Sequence, residues 1–272
     1  MYLGLSIAWP ADAAPHPDAP EWANQQREAL DKLSDIVHWW IDERQSPRGY
    51  YGGGWNDDVE MWRLWTPVII GFQDPKVTAA QEKLSRYILS QDHMKPGYSL
   101  RSQDVEHSSE ESADTVTPMM HLQPDAREWR VRARRHADLF RDVWSGINER
   151  GYRQFKSVVF NAVRTSSKPR HAVDTVYHPR AVQPALLHWQ RTADPELTAL
   201  FSDWLRGWVE ASARTERGKP AGLVPSAIRW PDGTVGGTGA DWWRPEAYKD
   251  TTLYDWPSSM SMMLNCFLLA YK

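Results

Sequence analysis

Apolar positions recur with a helical period along most of the chain. Eight segments place apolar residues three or four positions apart, and little strand-like alternation is long enough to form a sheet. The predicted helices cover residues 21–45, 57–72, 75–92, 109–122, 125–144, 175–191, 195–214 and 252–271. The pattern predicts an all-α fold with one helical domain, residues 21–272, after an extended N-terminal segment, residues 1–20.

The helices are expected to form a repeat. Three of them begin with an Asp and a Pro at the cap or first turn, in "QDPKVTAAQEKL" at 73, "QPDAREWRVRAR" at 123 and "ADPELTALFSDWL" at 193. Four long segments are followed by a Gly-Tyr or Gly-Leu pair, at residues 49, 97, 151 and 222, and glycine suits the chain reversal after a helix. The recurrence predicts about four helical hairpins.

The connections between the predicted helices differ on the two faces. Connections such as "GFQDPK" and "RTADPE" are tight, whereas those near residues 93–108, 145–174 and 215–251 are long. Long loops on one face are usually functional. The helices that start on this face begin with "WNDDVE" at 55, "EHSSEESADT" at 106, "DTVYHPR" at 174 and "DTTLYDWP" at 250. We therefore expect the functional site on this face.

Composition narrows the functional classes. A net charge of -3 does not favour sequence-independent nucleic-acid binding, and no apolar run approaches the length of a membrane span. The single cysteine, Cys266, excludes an internal disulfide and is expected to be a buried small hydrophobe. Of the 16 tryptophans we expect most to pack between helices and only those in glycine-rich loops to contact a ligand, because indole faces suit sugar rings.

Helical hairpins with short turns on one side and long Gly-Tyr loops on the other resemble the α/α-toroid, or six-hairpin glycosidase-like, carbohydrate-active enzymes. The resemblance covers most of the chain and is architectural, and no single family's signature is matched. It implies glycoside hydrolase or polysaccharide lyase activity at a cup formed by the N-termini of the inner helices. One departure is that four hairpins are predicted where the family toroid has six.

Glycoside hydrolysis needs two carboxyl groups that flank the glycosidic bond. Asp57 or Asp58 could face Glu110, Glu111 or Asp114 across such a cup, and we select Asp58 and Glu111 as the acid/base pair. An equally strong interpretation of Asp58 is a helix cap. Sugar contacts are predicted for Trp55, Arg180, Trp242, Trp243 and Tyr254.

Elimination is the second interpretation. A lyase needs a Tyr or His base and a group that neutralises the uronate carboxylate. Tyr177 and His178, with Arg180 for the carboxylate and His107 from another part of the rim, are residues of these types. Residues 150–180 carry seven basic side chains against one acid, which favours an anionic, uronate-containing poly- or oligosaccharide.

Other sites are less well supported. "DDVE" resembles an aspartate-rich Mg²⁺ site, but a second acidic cluster beside an apolar cavity is not evident in the sequence. No metal and no other cofactor are predicted. A non-catalytic helical-repeat protein with a concave binding surface is the third interpretation, although its repeats would be joined by short loops throughout.

The last predicted helix, within "WPSSMSMMLNCFLLAYK", is apolar around most of its circumference and therefore requires partners on several sides. We predict that it is covered by a further part of a longer chain, by self-association, or by residues 1–20 with Leu3, Leu5, Ile7 and Trp9. The N-terminus lacks the basic start of a secretory signal. A periplasmic or secreted location is favoured only by the predicted substrate class.

Overall fold

The computed structural model describes residues 17–53, 55–65, 67–236 and 256–271, and helices predominate in them. The α-helices of these residues are α1 (Glu21–Arg44), α2 (Trp55–Leu64), α3 (Pro75–Leu89), α4 (Val105–Glu111), α5 (Ala113–Leu122), α6 (Arg127–Leu139), α7 (Pro179–Thr192), α8 (Pro195–Ala213) and α9 (Trp256–Tyr271). Short π-helical turns, Pro67–Gly71 and Phe140–Trp144, follow α2 and α6. The all-α prediction is confirmed as a mostly helical fold.

Two predicted helix boundaries are wrong. The segment predicted as one helix at 109–122 consists of α4 and α5, which are separated at Ser112, and α4 begins at Val105 inside the predicted loop 93–108. The helix predicted from residue 175 begins at Pro179, because the preceding residues form a strand. The early start of α4 has a local cause, because Asp104 caps this helix by accepting the N–H of His107. The late start of α7 has a distant cause, because Val173–Thr175 pair with residues 227–229.

Six short strands lie in the long connections. They are β1 (Gln103–Asp104), β2 (Ser145–Ile147), β3 (Arg153–Phe155), β4 (Val159–Phe160), β5 (Val173–Thr175) and β6 (Ala227–Arg229). They form three antiparallel two-stranded ribbons, with Gln103 opposite Phe160, Gly146 opposite Gln154 and Asp174 opposite Ile228. Strands of two or three residues are too short to produce a recognisable alternation, and the sequence did not predict them.

Local signals set several helix ends. The carboxylates of Asp74 and Asp194 each accept two backbone N–H groups in the first turn of α3 and α8, which confirms two of the three predicted start signals. The third is wrong, since Ala126 precedes α6 and no side chain caps this helix. Gly49 has a positive φ of 114°, and a Cβ there would lie 2.5 Å from the carbonyl oxygen of Lys83, so only glycine fits this turn.

The aromatic side chains fill the interior, as the composition predicted for most tryptophans. The described tryptophans with almost no exposed surface are Trp62, Trp129, Trp144, Trp204 and Trp208. In the largest core cluster the Phe140 ring lies 4.6 Å from the Phe155 ring and 5.3 Å from the Trp204 ring, between centroids. These contacts join α8 to the β2–β3 ribbon.

Helix α9 buries one face and exposes another. Met263 and Cys266 are buried, as predicted for Cys266, whereas Leu264, Leu268 and Tyr271 are exposed. Residues 1–16 lie outside the described residues, so the covering of α9 by the N-terminal segment stays a prediction. Among the helices that the structure describes, none has the length and apolar character needed to cross a membrane.

Candidate functional site

Three glutamates from the two helices α2 and α4 lie close together. One carboxylate oxygen each of Glu60 on α2 and of Glu106 and Glu110 on α4 lies within 4.8 Å of the others. Glu60 is exposed, Glu106 is half-buried and Glu110 is buried. We call these three residues the glutamate cluster.

Burial changes the chemistry of Glu110. Its side chain is 4% exposed, and the loss of hydration raises its pKa to about 7. The charge of the nearby Arg180 lowers the pKa of Glu110, whereas the charges of Glu60 and Glu106 raise it further. A carboxyl group with this pKa is partly protonated at neutral pH and can act as a general acid.

A buried arginine on α7 contacts two of the three glutamates of the cluster. Arg180 is buried and donates through Nε and Nη2 to Asp114 Oδ2, at 3.0 and 2.6 Å. Its Nη2 also lies 3.4 Å from Glu110 Oε1, and its Nη1 lies 3.4 Å from Glu106 Oε1. Arg180 therefore links both buried acids of this region to the half-buried Glu106.

Tyr177 completes this network. Its hydroxyl accepts a hydrogen bond of 2.6 Å from Arg180 Nη1 and donates one of 3.0 Å to Glu106 Oε1. Burial raises the pKa of Tyr177 to about 12, so the phenol carries its proton at neutral pH. Tyr177 and Arg180, both predicted from "DTVYHPR", thus lie in the site, and Tyr177 is placed to orient Glu106.

The two predicted aspartates on α2 lie outside the glutamate cluster. Asp58 is buried, and its two carboxylate oxygens accept the backbone N–H groups of Tyr51 and Gly53, at 2.8 and 2.9 Å. Asp57 is exposed. These contacts give Asp58 a structural role other than the predicted helix cap: it lies inside α2, and the N–H groups that it binds belong to the glycine-rich loop before this helix.

Glu111 is also held away from the glutamate cluster. It is fully buried, and its carboxylate accepts hydrogen bonds from Ser99 Oγ at 2.6 Å and Arg101 Nη1 at 3.1 Å, with His93 Nε2 3.4 Å away. The acid selected from the sequence and its neighbour Glu110 thus point in different directions. Of these two neighbours, Glu110 is the one that lies in the glutamate cluster.

The two predicted histidines have different surroundings. His107 is half-exposed, and the hydrogen bond from its Nδ1 to Asp104 raises its pKa. His178 is fully buried, with Thr175 N donating to its Nδ1 at 2.8 Å and Ser157 O lying 3.1 Å from its Nε2. Its ring is stacked on Phe155. His178 is therefore a core residue whose ring nitrogens are both engaged.

Four predicted sugar contacts cannot be placed. Trp242, Trp243 and Tyr254 lie outside the described residues, and the side chain of Trp55 is not described either. Their roles as sugar platforms stay predictions.

Glu60 and Glu106 were not predicted from the sequence, and Glu110 and Asp114 were candidates there that were not selected as the acid/base pair. A helical signal was present, since Glu106 and Glu110 are four residues apart and therefore share one face of α4. The carboxylates of the glutamate cluster are of the type that holds Mg²⁺ or Ca²⁺. Arg180, however, already contacts two of the three.

Comparison with known proteins adds no relative. No protein-family model matches the sequence, and neither a curated protein nor a solved structure matches the chain.

Proposed function

We propose that this protein is a carbohydrate-active enzyme that hydrolyses glycosidic bonds, with Glu110 as the general acid. The observation that carries the proposal is a buried carboxyl group of pKa about 7 beside two further carboxylates, within 4.8 Å between oxygens. Two carboxyl groups of unequal pKa on either side of the bond are what this reaction requires. The helices α2 and α4, which carry these carboxyl groups, and α7, which carries Arg180, would be inner helices of an α/α toroid.

In the proposed mechanism Glu110 donates its proton to the glycosidic oxygen as the bond to the anomeric carbon breaks. The ionised Glu106 attacks the anomeric carbon, and water then releases the sugar while Glu110 takes up a proton from that water. Retaining glycosidases keep their carboxyl groups about 5–5.5 Å apart, and the close approach of the cluster oxygens is compatible with this class. Tyr177 would hold Glu106 in position through its 3.0 Å hydrogen bond.

The uronate preference is part of the proposal and rests on the basic residues of 150–180. Arg180 is engaged by Asp114, so its guanidinium has little capacity left for a substrate carboxylate. The half-exposed Arg63 is paired as well, since it lies 3.3 Å from Glu60 and 3.7 Å from Asp114, so neither of these two arginines carries the uronate preference.

Elimination is the second candidate. A lyase needs a base beside a cationic group, and Tyr177 contacts Arg180 in this way. The raised pKa of Tyr177 makes its phenolate scarce at neutral pH, which favours hydrolysis. A non-catalytic sugar-binding protein is the third candidate. It would not need the raised pKa of Glu110.

The test is Glu110→Gln, assayed on neutral and uronate-containing polysaccharides for new reducing ends and for the ultraviolet absorbance of an unsaturated uronate. We expect the wild type to release reducing ends without that absorbance. The variant should lose about 100-fold or more in kcat, together with the fall in rate above pH 7 that deprotonation of Glu110 causes. Glu149→Gln, an exposed glutamate outside the cluster, is the matched control.

Three results would contradict the proposal. Unchanged turnover by Glu110→Gln would remove Glu110 as the acid, and ultraviolet absorbance lost in Tyr177→Phe would favour elimination. Polysaccharide binding without turnover in the wild type would favour the non-catalytic protein.

A further inference from the structure

A cavity of about 370 Å³ lies between α2 with its following π-turn, α5, α7 and α9. Its walls are mainly apolar side chains from all of these elements, among them Val59, Ile69, Leu186 and Leu269. Ile70 and Asn265, which also line it, are exposed, so solvent reaches the cavity. A water-accessible apolar cavity of this size falls in the range of small-molecule sites.

The size of the cavity limits the ligand. A cavity of about 150 Å³ lined by apolar side chains binds benzene, so this one accommodates a molecule of roughly ten to fifteen non-hydrogen atoms. A polysaccharide chain is larger than this and too polar for such walls.

One wall offers a buried hydrogen-bond acceptor in a fixed orientation. Gln81 on α3 lines the cavity and is 3% exposed. The hydroxyl of Ser85 donates to the carbonyl oxygen of Thr115 at 2.9 Å, so its oxygen can only accept from Gln81 Nε2, at 3.0 Å. The amide orientation is therefore determined, and Gln81 Oε1 has no hydrogen-bond partner in the described part of the chain.

The charged groups of the cavity compensate one another. Arg180 and Asp114 line one end and are joined by hydrogen bonds of 2.6 and 3.0 Å, and Arg63 lies 3.3 Å from Glu60. Burial lowers the pKa of His121, which also lines the cavity, so this imidazole is neutral at pH 7. Among the described residues that line the cavity, an ionised ligand would thus find no unpaired counter-charge.

We propose that this cavity binds a small, uncharged, mostly apolar molecule that carries a hydroxyl group, such as an aromatic or alicyclic alcohol. The apolar body contacts the four walls, and the hydroxyl donates its hydrogen bond to Gln81 Oε1. This assignment goes beyond the proposed hydrolysis and does not rest on it, because the glutamates of the cluster do not line the cavity.

The probes are 2-naphthol, its apolar analogue 2-methylnaphthalene and the anion 2-naphthoate, each titrated into the whole protein by calorimetry. We expect 2-naphthol to bind, 2-methylnaphthalene to bind about tenfold more weakly, and 2-naphthoate not to bind. Gln81→Met should weaken the affinity for 2-naphthol by a similar factor and leave the affinity for 2-methylnaphthalene unchanged. Equal affinities for the alcohol and its methyl analogue, or for the alcohol and the anion, would overturn the proposal.

Location is tested with a matched pair of neighbours on α9. Leu269 lines the cavity, whereas Leu268 does not line it and is 68% exposed. Leu269→Trp should abolish binding of 2-naphthol and Leu268→Trp should preserve it. Cys266, the only cysteine of the chain, also lines the cavity and gives a second readout in the unaltered protein.

Bound 2-naphthol should slow the alkylation of Cys266 by N-ethylmaleimide, with half-protection at the calorimetric Kd. Equal binding by both tryptophan variants, or binding of 2-naphthol without protection of Cys266, would place the ligand elsewhere and refute the assignment.

Discussion

At the scale of single residues, neighbours in the chain have different tasks. Successive residues of an α-helix point about 100° apart, so adjacent acids face different surroundings. Glu110 lies beside Glu60 and Glu106, while Glu111 is enclosed by Ser99 and Arg101. An acidic stretch in the sequence therefore does not show which of its acids enter one cluster.

Asp57 and Asp58 provide a direct test of this difference. Asp58→Asn leaves one backbone N–H without a carboxylate acceptor, and we expect about 1–3 kcal/mol lower stability to urea unfolding. Asp57→Asn, at the exposed neighbour, should change stability by less than about 0.5 kcal/mol. If Asp58→Asn instead removed turnover at unchanged stability, Asp58 would be the catalytic carboxyl group that the sequence first suggested.

At the scale of elements, helix starts follow local chemistry where a side chain reaches the free N–H groups. Pro75 and Pro195 occupy the first turns of α3 and α8, directly after Asp74 and Asp194. In "QPDA" the order is reversed, so Pro124 precedes Asp125, and α6 starts two residues after the acid without a side-chain cap. The order of Asp and Pro therefore decides whether the aspartate caps the helix.

Asp194→Ala should lower the free energy of unfolding by about 1 kcal/mol, because two N–H groups of α8 lose their acceptor. Asp194→Asn separates this effect from the ion pair with Arg134, since it keeps a capping oxygen and loses the charge. Thermal unfolding of both variants and of Asp125→Ala is the measurement. If Asp125→Ala lowered the stability as much as Asp194→Ala, the assignment of Asp194 as the cap of α8 would be contradicted.

At the scale of the whole molecule, one buried carboxylate connects strands and a helix from the second half of the chain. Asp174 on β5 is fully buried, and its Oδ2 accepts from Trp204 Nε1 at 2.8 Å, Trp208 Nε1 at 3.2 Å and Phe155 N at 3.2 Å. Strands β3 and β5 and helix α8 therefore meet at a single oxygen. This contact fixes the start of α7, and hence Tyr177 and Arg180, relative to α8.

Trp204→Phe removes one donor from this carboxylate and should destabilise the protein by about 2 kcal/mol or more, because hydrogen bonds to buried charged groups are strong. Trp22→Phe, at a tryptophan 66% exposed on α1, should be close to neutral. Chemical denaturation monitored by circular dichroism measures both. Equal stability of the two variants would show that Asp174 does not hold these elements together.

The sequence by itself determined the features that depend on neighbouring residues. The helical period, the Asp-Pro starts of α3 and α8 and the glycine turn at Gly49 are set within a few positions of the chain, and they were predicted correctly. Tyr177 and Arg180, which lie in the candidate site, were also singled out from the sequence, because both lie next to the start of a predicted helix.

Only the tertiary structure decided which acids meet. The rotation of α4 about its axis is set by packing against α2 and α7, and this rotation turns Glu106 and Glu110 toward Glu60 and Glu111 into the interior. The raised pKa of Glu110 follows from burial by residues far away in the chain. A helical period gives the spacing of side chains on one helix, but the direction they face depends on partners that only the folded chain brings near.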